Sequence, residues 1–228
     1  MIKFENTITP SPEQWKTIIM GTRNPMNSWE KSDSAYNVPV MNFPDIQNYV
    51  ATVALGVNDY NLLTQLAENG PVHAKYRRMI AVYVDITAPL YWWKEFDTYK
   101  VGTVANSCST MHKIAAKEFT LEDFSHEHLV PAYLDALKRT IDDLNSCREA
   151  YQDKEVQKNP VWHKQVWWQM IQLLPSSYNQ RRTVMLNYEV LANIYHYRKD
   201  HKLDEWRDFC QWITTLPYSE IITGSNQS

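Results

Sequence analysis

Glycine is scarce in this chain, at 5 of 228 residues. Neither Gly-x-Gly-x-x-Gly nor Gly-x-x-x-x-Gly-Lys-Ser/Thr occurs, which argues against a Rossmann or P-loop phosphate cradle. Cysteine is also sparse. Cys108, Cys147 and Cys210 cannot all pair and show no Cys-x-x-Cys spacing, so a disulfide framework is excluded and a reducing cytoplasm is the expected setting. No apolar run approaches the roughly 20 residues that cross a bilayer. The opening Met-Ile-Lys-Phe-Glu-Asn has no apolar run after its basic residue, so it does not read as a secretory signal, and no membrane partner is expected. Charge of one sign is missing too: 23 Lys and Arg face 26 Asp and Glu, net −3, with no long basic run. A general nucleic-acid binder gathers its cations on one face, so no nucleic-acid partner is expected.

What the chain does have is aromatic side chains, 13% of residues, with 9 Trp and 14 Tyr. Such an excess serves a large core, an oligomer interface or stacking platforms for flat ligands. The length suits one compact domain, 1–228, or a tightly merged pair.

The patterning predicts an α+β fold in which helix dominates. A short helix is expected around Trp15, Ile18 and Ile19, started by Ser11 or Pro12. A second is expected over Asp45–Val57 and a third over Asp59–Glu68, stopped at Asn69-Gly70. Ile80–Thr87 alternates branched apolar residues with others and predicts a strand, and Leu90–Phe96 predicts a helix beyond Pro89. Residues 100–118 read as irregular up to Met111. A long helix is expected within 120–150, where Leu134, Leu137, Ile141 and Leu144 share a face. Asn159-Pro160 is a cap and first turn for a helix reaching Leu174. The helical reading extends over Arg182–Arg198 and Leu203–Thr214.

Local chemistry offers several candidates. His126-x-His128 is the one close histidine pair, but i, i+2 suits a solvated helix start better than a metal site, and no His-Glu-x-x-His is present. Cys108 lies in the hydroxyl-rich Asn106–Thr110 turn near His112, a setting for an activated thiolate or for a small buried thiol. Acidic pairs such as Asp142-Asp143 alternate with basic residues and read as solvated helix faces. Lys94, Lys100, Arg181, Arg182 and Arg198 are cations that a phosphate ligand would need brought together.

Two stretches, taken together, resemble the flavin-dependent thymidylate synthases over residues 66–215, with 1–60 a divergent N-terminal region. The first runs from Gly70-Pro71-Val72-His73 through the strand to Ala88-Pro89-Leu90-Tyr91-Trp92-Trp93-Lys94-Glu95-Phe96-Asp97-Thr98-Tyr99-Lys100. His73 falls on the family's histidine and Glu95 on its glutamine. Thr98-Tyr99-Lys100 stands where the family has Arg-His-Arg, so one cation is kept. In the following loop Thr103 falls on the first serine, Asn106 on the glutamate, Cys108 on the second serine and Thr110 on the arginine. The second stretch is Leu174-Pro175 followed by Asn187, Asn193 and Arg198, which match two flavin-contacting asparagines and a phosphate-contacting arginine.

The resemblance implies a thymidylate synthase-complementing-protein-like fold: helix-rich α+β with a small antiparallel sheet. It implies FAD held by His73, Lys100, Asn106, Asn187 and Asn193, a pyrimidine nucleotide such as dUMP held by Glu95, Cys108 and Arg198, and no metal. The reaction would be methyl or hydroxymethyl transfer to the nucleotide's C5, with reduced folate and NADPH as co-reactants, in a cytoplasmic homotetramer. Losing arginine forks from the signature triplet removes charged hydrogen bonds of about 1.5–3 kcal/mol each. The alternative is therefore a non-catalytic nucleotide-binding or interaction protein that keeps the fold without the flavin chemistry.

Overall fold

The computed structural model describes residues 1–40 and 50–224. In chain order its elements are β1 (Lys3–Ile8), α1 (Pro12–Arg23), β2 (Ala35–Val40), β3 (Val50–Ala54), α2 (Val57–Glu68), β4 (Ala81–Pro89), α3 (Leu90–Phe96), β5 (Val104–Ser107) and α4 (Thr110–Lys113). Then come α5 (Pro131–Gln152), α6 (Lys154–Gln157), α7 (Pro160–Leu173), β6 (Asn179–Asn187), α8 (Tyr188–Arg198), α9 (Asp204–Ile213) and α10 (Glu220–Thr223). Strands form a four-stranded sheet ordered β1-β4-β6-β5 and a separate antiparallel ribbon β2-β3. The helix-rich α+β class with a small antiparallel sheet is as expected. Among the described residues no helix is long and apolar enough to cross a membrane.

Helix starts follow side-chain chemistry. Ser11 caps α1 in a reciprocal box with Gln14, and Pro12 occupies the first turn, where its missing N–H costs nothing. Asn159 caps α7 by accepting from Val161 N and Trp162 N, again ahead of a proline. Three expectations need correction. Val50–Ala54 is a strand, because Val-Ala-Thr-Val-Ala is β-branched at three of five positions and pairs with β2 from Ala35 opposite Ala54 to Val40 opposite Val50. Of the rest of that expected helix, residues 45–49 lie outside the described residues, and Leu55 and Gly56 lead into α2 at Val57. Residues 182–187 are strand rather than helix: Val184 and Leu186 are buried at period two, and the helix begins only after Asn187. Residues 104–107, expected to be irregular, form the strand β5, while the long helix expected within 120–150 is present and starts at Pro131, since proline holds Val130 extended.

The chain divides into two units. One comprises Met1–Phe4, Asp85–Thr98 and Ala105–Thr183. Its core gathers Ile114, Phe119, Phe124 and Met170 around Leu137, Ile141 and Leu144, the predicted face of α5. Trp93 Nε1 donates to the Gln180 carbonyl at 2.9 Å, and the Arg182 guanidinium lies 4.2 Å from the Trp93 ring centre while pairing with Asp97 at 2.7 Å. Arg181 pairs with Asp85 at 2.8 Å.

The other unit comprises Glu5–Val84, Tyr99–Val104 and Val184–Ser228. Trp15 packs edge-on against Tyr188 and Tyr218. Both tyrosine hydroxyls find carbonyls, Tyr188 on Pro217 at 2.6 Å and Tyr218 on Val53 at 2.9 Å, as buried polar tips must. Beneath α1 and α2 lies a buried ion pair, Arg23 Nε to Asp59 Oδ1 at 2.7 Å. The second Asp59 oxygen accepts from both hydroxyls of Ser32 and Ser34 and from the Asp33 and Ser34 amides. Asp33 in turn accepts from the Asn58 and Asp59 amides at the start of α2. Burial opposes the Asp59 charge, yet the bonds from Ser34, Arg23 and Ser32 outweigh it and hold the carboxyl below its usual range.

Candidate functional site

The second unit carries an open pocket of about 880 Å³, in the size range of small-molecule sites. One wall is α8. Tyr188 N donates to Ile80 O at 3.1 Å, which sets the start of α8 against the end of the 3-10 turn Lys75–Met79. Asn187 caps the helix, its Oδ1 accepting from Val190 N at 3.0 Å. Gly102 fits beside that cap because it lacks a side chain. A Cβ there would stand 2.8 Å from Asn187 Nδ2, and its φ of +81° lies where side chains are strained.

From this start the helix presents Glu189, Asn193 and His196 to the pocket at i, i+4 and i+7, with Lys199 just beyond its last residue. The turn Lys75–Met79 adds Arg77 and Arg78. Three permanent cations and one carboxylate thus line the cavity. Arg78 and Lys199 have no ion-pair partner among the described residues. Two atoms of lining residues, Arg77 Nε and Glu189 Oε2, are buried without a hydrogen-bond partner. Arg77 and Glu189 both act on Tyr76, whose hydroxyl donates to Leu63 O at 2.7 Å. Burial pushes the Tyr76 phenol up to about 12, the Arg77 charge opposing and the Glu189 charge adding. Tyr195 and Tyr197 supply ring surface on the same wall.

Of the residues singled out in the sequence, Asn187 and Asn193 line this pocket. His73 is exposed and follows the lining Gly70 and Pro71, its amide donating to Gly70 O at 3.0 Å. Lys100 is exposed and precedes the lining Val101 and Gly102. Arg198 points elsewhere: Nε donates to the Tyr99 hydroxyl at 2.9 Å, one terminal nitrogen meets His201 Nε2 at 2.9 Å, and the guanidinium sits 4.7 Å from the Trp206 ring centre. Glu95, Asn106 and Cys108 belong to the first unit. There Glu95 O accepts from Thr98 Oγ1, Asn106 is exposed on β5, and Cys108 is exposed with its amide bonded to Arg181 O and its carbonyl to Gln180 Nε2. His126 Nδ1 lies 2.8 Å from Phe124 O, and among the described residues no group of three His, Cys, Asp or Glu could hold a metal.

The pocket's cations escaped the sequence reading. Two signals existed: the Arg77-Arg78 pair four and five residues beyond His73, and the i, i+4, i+7 series of polar residues on α8.

These elements define a class by fold: the chain has the fold of the flavin-dependent thymidylate synthases. Two solved structures carry that finding, both of the enzyme from Helicobacter pylori, each described as bound to FAD and dUMP. Each matches with a TM-score of 0.58 and 13% identity over 96% of this chain, and over 95% and 94% of the other. No protein-family model matches the sequence, and no curated protein matches it.

Proposed function

We propose that this chain is a flavin-dependent thymidylate synthase-like protein whose α8 pocket binds a flavin nucleotide and a pyrimidine nucleotide. The observation that carries this reading is Asn187 and Asn193 lining a cavity of about 880 Å³ in a chain that matches the FAD- and dUMP-bound fold almost end to end. The residues present fit such a group. Arg77, Arg78 and Lys199 suit phosphates, the exposed Asn193 amide and the two tyrosines suit a flat polar ring, and the unpartnered Arg77 Nε and Glu189 Oε2 are groups a ligand would satisfy. When bound, FAD would supply hydride transfer and relay the folate-derived carbon to the nucleotide's C5. The chain's own part is to bind, to orient the two rings and to limit water at the contact. Reduced folate and NADPH are then the co-reactants.

Assembly as a homo-oligomer, a tetramer by the resemblance, belongs to the same proposal. The free thiols of Cys108, Cys147 and Cys210 suit the cytoplasm.

The test is absorbance of the purified protein after incubation with FAD and removal of unbound ligand. Retained flavin bands, and oxidation of the reduced flavin that depends on a pyrimidine nucleotide, are the expected outcome. A colourless protein that rejects FAD overturns the catalytic reading. One observation favours the alternative, a nucleotide-binding protein without redox chemistry: Arg198 is held by Tyr99, His201 and Trp206, and so does not present its guanidinium to a phosphate in the pocket.

A further inference from the structure

The pocket's charge is arranged in an unexpected place. The segment Thr98-Tyr99-Lys100 keeps one cation, and the Tyr99 hydroxyl is bonded to Arg198. Lys100 is exposed and is not a lining residue. The lining cations are instead Arg77 and Arg78, neighbours on one 3-10 turn, and Lys199 at the end of α8. Arg78 and Lys199 are exposed, so both can reach a ligand without unpacking the fold.

We infer that Arg77, Arg78 and Lys199 form the anion clamp of this pocket and hold the phosphate of its ligand. This inference rests on the reading of the pocket as a nucleotide site. Three cations against Glu189 leave an excess of two positive charges, which matches a phosphate monoester dianion or a diphosphate bridge. Guanidinium forks grip phosphate oxygens through paired N–H donors, and an ammonium adds a point charge at short range. The ring-binding groups Asn193, Tyr195 and Tyr197 lie on the α8 wall between Glu189 and Lys199. The clamp therefore predicts dependence on the ligand's phosphate rather than on its base or flavin ring alone.

Titration calorimetry of the full chain tests this with FAD, riboflavin, dUMP, deoxyuridine and inorganic pyrophosphate. FAD and dUMP are expected to bind at least about ten-fold tighter than their phosphate-free counterparts, a difference of about 1.4 kcal/mol per ten-fold. Arg78→Gln and Lys199→Gln, both at exposed positions, should each weaken the phosphorylated ligands by about ten-fold and leave riboflavin and deoxyuridine unchanged. Arg77→Gln should do the same, with circular dichroism checking that the partly buried position still folds. If the phosphorylated ligands bind and all three variants keep wild-type affinity, the clamp is wrong while the nucleotide reading stands. If pyrophosphate binds through these residues and no flavin or nucleotide does, the clamp is right and the nucleotide reading is wrong. If nothing anionic binds, both fall.

Discussion

At the scale of single residues, the buried pair Arg23–Asp59 is the most consequential polar contact in the second unit. Both side chains are almost inaccessible, at 4% and 0%, and Asp59 organises three residues of the segment before β2, Ser32, Asp33 and Ser34, through four hydrogen bonds. Removing one partner leaves the other charge stranded, which costs about 3–5 kcal/mol in buried pairs. Asp59→Asn should therefore lower unfolding free energy by about that amount, measured by urea denaturation at pH 7. The pH dependence has a definite sign. A carboxyl whose folded pKa lies below its ordinary 3.8 contributes stability above that value and loses it as pH falls through the folded pKa. Wild type should lose stability below about pH 3.8, and the Asp59→Asn variant should lose less over that window. Equal acid slopes in the two proteins would remove Asp59 from the account. Thiols differ as sharply. Burial, helped by the Asp200 charge, pushes Cys210 up to about 11, whereas Cys108 is exposed. Iodoacetamide at pH 8 followed by mass spectrometry should label Cys108 first and leave Cys210 unmodified in the folded protein.

At the scale of elements, the start of α8 carries both architecture and site. Asn187 caps the helix through Oδ1, and its Nδ2 stands where a side chain at Gly102 would have to go. Asn187→Ala should cost about 1 kcal/mol of stability through the lost cap alone. Asn187→Ser keeps a cap but removes the amide, so a ligand contact by Asn187 would show as weaker FAD binding by Asn187→Ser at near-normal stability. Gly102→Ala should cost about 1–2 kcal/mol, because it combines a positive φ with a close approach to that amide. Thermal melts with and without FAD separate these outcomes. Other elements were legible in the sequence. Ser11, Asn159 and the Leu137–Ile141–Leu144 face announce helices whose signals are local. The strand β6 was not, because Arg182–Arg198 places apolar residues where both periods overlap. Only pairing with other strands and the cap at Asn187 separate strand from helix there. Arg198 illustrates the same limit for the site. Its register along the chain matched a phosphate ligand, but its direction depends on Tyr99, His201 and Trp206, which no spacing rule brings together.

At the scale of the whole molecule, the proposed homo-oligomer makes a demand on the surface. Helix α7 is unusual in having Lys164 as its single residue with a permanent charge, and Val161, Trp162, Trp168 and Leu173 are 69%, 52%, 41% and 44% exposed. An isolated surface helix ordinarily carries charges on its outer face, so this composition suits burial against another copy. The two tryptophans together expose on the order of 200 Å², worth about 5 kcal/mol if fully covered. Association itself costs an estimated ~4–15 kcal/mol, so these rings can tip an assembly that has further contacts but cannot drive one alone. Light scattering of the wild-type protein should then give a multiple of the 26.9 kDa chain mass. Trp162→Glu with Trp168→Glu should shift that mass toward the single chain at micromolar concentration, with far-UV circular dichroism unchanged because both rings are half-exposed already. A wild-type monomer would remove the oligomer from the proposal. An assembly indifferent to both substitutions would move its interface off α7, leaving the uncharged face of that helix without its simplest explanation.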